Sequence, residues 1–325
     1  MSLTETKYAA YWALSGLARP RTIVRFLRDR RQADRVWQTF LPEQIGDLGE
    51  VSRLSILPLV EQYSAVEGAA TEPGVSYLIR ADEETMLFDV GFNMRGEHPS
   101  PLLRNMERFG VSVDSIDSLF ISHLHLDHVG GRRNQLEKTF GLSAAPVALE
   151  GVRAFVPTGM SHPTARVNVI DTPRRLAPGM AAGGPIMRAI WLVGPVFEQT
   201  LLVNVAGKGI VMVVGCGHPS LARLVERARA VTGIPLYGVV GGLHFPVTGS
   251  RVGKGHQNIL GNGKLPWQRI TRREAREAAA LLVGLDVKLV ALSAHDSCDF
   301  TLDLFKQTLG DRYRTLKVGE EVVIG

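Results

Sequence analysis

Ser122-His123-Leu124-His125-Leu126-Asp127-His128-Val129-Gly130-Gly131 sets three histidines and one aspartate within six residues, directly after the short apolar run Ser118 to Ser122. Neutral imidazole and carboxylate are the donors that a borderline divalent ion such as zinc prefers. In extended backbone, alternate side chains project to one side, so His123 and His125 can reach the same ion. Asp127 and His128 fall where the chain turns, free to address a second ion nearby. Gly130-Gly131 lets the backbone bend tightly behind them. Packing several histidines together without a cation is unfavourable in a buried site, so the stretch reads as a metal site.

The rest of the chain fits around that strand end. Val51 to Leu59, Val75 to Arg80 and Thr85 to Asp89 are short and rich in strand formers. The last two flank Ala81-Asp82-Glu83-Glu84, which suits a hairpin turn. Pro101 to Phe109 reads as a helix. From Leu142 to Glu198, prolines from Pro146 to Pro195 and the pair Gly183-Gly184 predict loops and short strands. Thr200 to Val205 and Gly209 to Val214 predict a second hairpin, followed by a helix over Leu221 to Val231 and a strand over Pro235 to Val240. Residues 246 to 267 read as a long surface loop near the site. Arg272 to Val283 reads as a helix and Val287 to Leu292 as a strand. Interleaved strands and helices of this kind predict a layered α/β sandwich, with sheets inside and helices outside.

Composition sets the limits. The chain has 325 residues, 45% of them hydrophobic and 21% charged, which is ordinary for a globular protein with a sizeable core. Residues 3 to about 50 read as helical with a break at Pro20, giving a helical N-terminal extension (1–50) before the main domain (51–325). The apolar run Tyr8 to Leu17 is too short to span a bilayer and lacks a signal-peptide cleavage pattern. The two cysteines, Cys216 and Cys298, form no disulfide framework. A cytoplasmic protein with no transmembrane segment is expected. The net charge of +5 is concentrated between Arg19 and Arg35, where Asp29 and Asp34 interrupt it. That pattern suits a solvated helix face better than an anionic partner or membrane surface. No nucleic-acid-binding motif accompanies it.

His-x-His-x-Asp-His resembles the signature of the metallo-β-lactamase superfamily. Leu87-Phe88-Asp89-Val90-Gly91 is similar to that family's earlier motif, in which the aspartate supports the metal ligands from behind. Gly215-Cys216-Gly217-His218-Pro219 resembles one branch, the dihydropterin-ribofuranosyl-aminobenzene-phosphate synthase-like proteins. Gly241-Gly242-Leu243-His244-Phe245 and Ala294-His295-Asp296-Ser297-Cys298 resemble the same branch. The resemblance covers residues 51 to about 310. It implies a four-layer αββα sandwich and two divalent metal ions, zinc by preference, with manganese or iron as alternatives.

The chain also departs from the family pattern. Glu198 stands where a ligand histidine is familiar, the intervening stretch holds only His162, and Cys216 replaces a bridging aspartate. Carried over residue by residue, the resemblance implies one ion on His123, His125 and His218. The other would lie on Asp127, His128 and His295, with Asp89 and Cys216 as supports. His244 would face the substrate or exchange roles with His295. The implied activity is hydrolysis of an ester, phosphoester or related anionic small molecule by a metal-activated water, with Asp127 or His244 moving the proton. A mononuclear iron sulfur dioxygenase and a lactonase of the same fold are the alternatives, and a homo-oligomer is allowed. Gly249-Ser250-Arg251-Val252-Gly253-Lys254-Gly255 is one residue short of a phosphate loop and reads as a flexible loop, with Arg251 or Lys254 able to meet an anion. His98 and His256 carry no assignment.

Overall fold

The computed structural model of the chain describes residues 20–251, 257 and 261–325. Six α-helices are found among them: α1 (Pro20–Thr39), α2 (Pro101–Arg108), α3 (Arg132–Glu137), α4 (Leu221–Thr232), α5 (Arg272–Gly284) and α6 (Asp299–Leu309). The strands of the first half are β1 (Leu54–Val60), β2 (Ser76–Ala81), β3 (Glu84–Phe88), β4 (Ser118–Phe120), β5 (Arg153–Val156), β6 (Arg166–Val169), β7 (Arg174–Ala177) and β8 (Met180–Ala182). Those of the second half are β9 (Ile186–Ile190), β10 (Gly194–Glu198), β11 (Leu201–Val205), β12 (Gly209–Val214), β13 (Leu236–Gly241), β14 (Leu289–Leu292), β15 (Tyr313–Thr315) and β16 (Val322–Ile324).

Two seven-stranded sheets result, ordered β16-β1-β2-β3-β4-β5-β6 and β15-β14-β13-β12-β11-β8-β7. Each is buried on both faces, and the period-two alternation of strands divides the side chains between layers. In β12, Val211 and Val213 pack between the sheets, whereas Ile210, Met212 and Val214 pack outward beneath the helices. In β2, Tyr77 and Ile79 face the inter-sheet core and Leu78 the helical layer over the first sheet. Tyr77, Phe88 and Phe120 stack in a row across that inner face, with ring centroids 5.9 and 5.4 Å apart. At about 1.5–3 kcal/mol for each buried large apolar side chain, this inner layer fixes the sandwich. The architecture is the expected αββα.

The N-terminal expectation needs correction. α1 ends at Thr39 and residues 40–50 are irregular, because Pro42, Gly46 and a turn in which Asp47 accepts from Gly49 N stop the helix. Residues 1–19 lie outside the described residues. α1 packs over the β9–β10 hairpin through Phe26, whose ring meets Trp191 edge-on at 5.6 Å.

Strand direction positions the site. β3 and β4 run parallel, and so do β12, β13 and β14. Asp89, His123 to His128, Cys216 to His218, His244 and His295 all lie just beyond the C-terminal ends of these strands, the edge at which open α/β sheets gather their ligands.

Candidate metal centre

The dense histidine segment follows β4, and its side chains converge with those of the second sheet. His123 Nε2 lies 3.0 Å from His125 Nδ1, and His218 Nε2 lies 3.2 and 3.1 Å from these two atoms. Beside them stand Asp127, His128, Cys216 and His295, whose donor atoms fall within 4.8 Å of one another. Cys216 Sγ sits between His128 Nε2 at 3.1 Å and His295 Nε2 at 3.2 Å. His123, Cys216 and His218 also group within 4.8 Å, so the sulfur adjoins both clusters.

The surrounding bonds fix which ring nitrogen carries each proton. Ser122 Oγ donates to Asp89 Oδ2 at 2.7 Å, so it must accept from His123 Nδ1 at 2.9 Å. His218 Nδ1 donates to the Gly261 carbonyl at 2.8 Å, and His128 Nδ1 donates to Asp89 Oδ2 at 2.7 Å. Nε2 of His123 and of His218 is therefore an unprotonated lone pair. These two lone pairs face each other at 3.2 Å. That contact is repulsive unless a cation lies between them. His125 meets the cluster through Nδ1, and its Nε2 is buried without a hydrogen-bond partner. The donor set fits divalent metal, and imidazoles held by a carboxylate, hydroxyl or carbonyl behind them are the usual form of such ligands.

The electrostatics agree. Burial, then repulsion among the histidines, holds His123, His218 and His295 well below the usual imidazole range and brings His125 to about 3, so these rings are neutral, the form able to ligate a metal. Burial opposes charge on His128 too, but Asp89 and Asp127 outweigh it and hold this ring up to about 9. The pair of carboxylates beside it makes that half of the site attractive to a cation. Burial raises the Asp127 carboxyl above its ordinary value.

Other residues shape the site from further out. Asp89 adopts a left-handed φ of 54°, which turns its carboxylate back onto the Ser122 amide and hydroxyl. Glu198 donates no ligand atom; it accepts the backbone N–H groups of Cys216, Gly217 and His218 at 2.7–2.9 Å and so holds the ligand loop. Gly215 is required by close approach, since a Cβ there would lie 2.2 Å from Ser122 Oγ. His244, φ 52°, has its ring 4.9 Å from His218, and Nε2 3.2 Å from the Gln257 carbonyl. His295 adjoins both Cys216 and His128, whereas His244 groups with Cys216 and Asp296, their donor atoms within 4.8 Å of one another.

Sequence reasoning gave no role to several of these groups. Asp296 accepts the His244 amide at 2.8 Å and lies 4.0 Å from His295 Nε2; its only sequence signal is a carboxylate next to a candidate ligand. Ser293 contacts His295 Nδ1 at 2.6 Å and bonds in turn to Glu61. Arg251 is committed elsewhere: it pairs with Asp299 at 2.6 Å and donates to the carbonyls of Ala294 and Ser297. The loop at 261–262 is no surface loop, since Asn262 is buried and Gly261 binds His218. Lys254 and His256 lie outside the described residues, and His98 bonds Ser143 Oγ at 2.8 Å, away from the cluster. A cleft of about 190 Å³ opens over the site, lined by His125, Asp127, Cys216, His218, His244 and Asp296 with apolar Leu126, Ile190 and Val193.

Known proteins resemble this chain in sequence and fold. The Metallo-beta-lactamase superfamily profile matches residues 70–216. The 7,8-dihydropterin-6-methyl-4-(beta-D-ribofuranosyl)-aminobenzene-5'-phosphate synthase of Methanocaldococcus jannaschii is 25% identical over 240 residues, which is 61% of this chain and 80% of that protein. A solved metal-dependent hydrolase of the beta-lactamase superfamily superposes with TM-score 0.56 at 19% identity, over 83% of this chain and 98% of its own. The metallo-beta-lactamase fold protein YhfI from Bacillus subtilis gives 0.50 at 11% identity, over 84% and 100%. At these identities the two structures speak to the fold alone. The two-sheet sandwich is that of the metallo-β-lactamase fold, and the superfamily's profile covers the part of the chain that carries the histidine segment.

Proposed function

We propose that this protein is a hydrolase that uses two divalent metal ions to cleave a phosphoester, ester or related anionic small molecule. The carrying observation is the double donor cluster around Cys216 Sγ, with the Nδ1 protons of His123, His128 and His218 directed away from it. His123, His125 and His218 would hold one ion; Asp127, His128 and His295 would hold the other, with Cys216 able to serve both. Zinc suits the nitrogen and sulfur donors, and manganese or iron are the alternatives. Bound ions would supply Lewis acidity and an activated water.

The chain's own groups supply the rest. Asp127 and His244 face the cleft and are placed to carry a proton between water and leaving group. Ile190, Val193 and Leu126 exclude bulk water from one wall, which strengthens charge interactions inside. The name of the Methanocaldococcus jannaschii relative favours a phosphorylated, pterin-related substrate.

Elemental analysis of protein purified without chelator tests this reading, followed by turnover of a panel of phosphoesters and lactones. About two zinc or manganese ions per chain with phosphoester cleavage would support it. About one iron per chain, with oxygen consumption, would replace it with the dioxygenase reading. No metal, with none taken up on addition, would overturn it.

A further inference from the structure

A second cavity, of about 260 Å³, lies against the metal cluster and shares His218, His244 and Gly261 with it. Arg188 on β9 reaches into its wall. The guanidinium makes one hydrogen bond, Nη2 to the Asn262 carbonyl at 3.2 Å, and its Nε is sealed from solvent without an acceptor. No carboxylate among the described residues pairs with it. Glu274 and Glu277 line the same cavity, but each is committed to another cation, Glu274 to Lys264 and Glu277 to Arg273 at 3.3 Å, as Asp34 is to Arg223 at 2.8 Å. Burial first, then the charge of Arg223, lowers Arg188 to about 10, so it is a cation at neutral pH. An enclosed guanidinium with unmet donors is costly in the absence of a partner.

The start of α4 also lines the cavity. Ser220, Leu221 and Ala222 line it, the cap Ser220 makes no side-chain hydrogen bond to the helix, and the first turn holds no acidic residue. The positive end of a twelve-residue helix and the unpaired guanidinium thus face one space.

We propose that this cavity binds an oxyanion group of the substrate, a phosphate, between Arg188 and the N-terminus of α4, next to the reacting centre. A planar guanidinium and backbone N–H groups match phosphate oxygens in geometry as well as charge. That the oxyanion belongs to a substrate rests on the hydrolase reading; that the cavity holds phosphate does not.

Thermal unfolding of as-purified protein in sodium phosphate, against sodium chloride of equal ionic strength, tests the site. The wild type should gain stability from phosphate over chloride. Arg188→Gln should need roughly ten- to hundredfold more phosphate for the same gain, the loss expected for a charge-assisted hydrogen bond. Ala222→Asp, on the exposed lip of the cavity, should show the same loss. An acidic residue in the first helical turn favours folding, so this variant decides the matter if Arg188→Gln fails to fold. Equal phosphate response in all three proteins, or chloride matching phosphate in the wild type, would overturn the proposal. Turnover is read separately: phosphate binding that depends on Arg188 without any hydrolysis would remove the hydrolase reading and leave the cavity, and hydrolysis with indifferent phosphate response would do the reverse.

Discussion

The sulfur of Cys216 lies 3.1 Å from Nε2 of His128, where it adjoins both groups of candidate donors. Burial, reinforced by Asp296, Asp127 and other carboxylates, pushes the thiol well above its usual range, so it keeps its proton until a cation displaces it. Zinc uptake should therefore release about one more proton in the wild type than in Cys216→Ser, read with a pH indicator. Cobalt-substituted protein should show a sulfur-to-metal absorption band that Cys216→Asp lacks. If the wild type shows no such band, sulfur is not a ligand.

Asp89 accepts from both Ser122 and His128, so Asp89→Asn puts an amide donor against two donors. Metal affinity should fall about 10–100-fold in competition with a chromophoric chelator. His123→Ala should lose activity and metal together. His162→Ala should keep both, because its ring stacks on Phe140 at 4.8 Å and its Nδ1 contacts only the neighbouring Thr164 and Ala165 among the described residues. Full metal content in His123→Ala would sink the ligand assignment.

Glu61 is wholly buried against Tyr77, and burial raises its carboxyl from the usual 4.5 to about 7. A folded-state value above the unfolded one means that the native protein holds this proton more tightly. Its stabilising contribution is then full below pH 4.5 and is lost as pH rises to about 7, by up to roughly 3 kcal/mol. The stability difference between wild type and Glu61→Gln should shrink across that window in denaturant titrations. A difference independent of pH would refute the shift.

Phe26 belongs to a small apolar cluster with Ala189 and Trp191, separate from the three large cores. Phe26→Ala should therefore act locally. Protease cleavage or amide exchange of α1 should rise strongly while the main unfolding midpoint moves little. This also tests the proposal that residues 1–50 are an extension on a domain formed by 51–325; a large drop in the global midpoint would join the two.

Much of this was legible because ligand spacing is local. His123 to His128 lie within six residues after one strand, and the hairpin read over Thr200 to Val205 and Gly209 to Val214 is the antiparallel β11–β12 pair. What was not legible depends on long-range encounter. Glu198 looked like a misplaced ligand, yet its role is set by amides about twenty residues on, which only the β11–β12 hairpin brings back to it. Asp296 and Glu61 carry no motif, and their environment exists only once the second sheet has docked. α1 was overextended because Ala, Leu and Arg favour helix without marking its end, whereas Pro42 and the Asp47 turn do.

The donors come from both sheets: His123, His125, Asp127 and His128 follow a strand of the first, and Cys216, His218 and His295 follow strands of the second. During synthesis the first four leave the ribosome long before His295. Neither half can retain an ion with a full set of donors by itself, so secure metal capture has to wait until the two halves have closed on each other. Bound metal is in that sense a mark of finished assembly, and a chain truncated before β14 should be as poor at keeping metal as one stripped of its histidines.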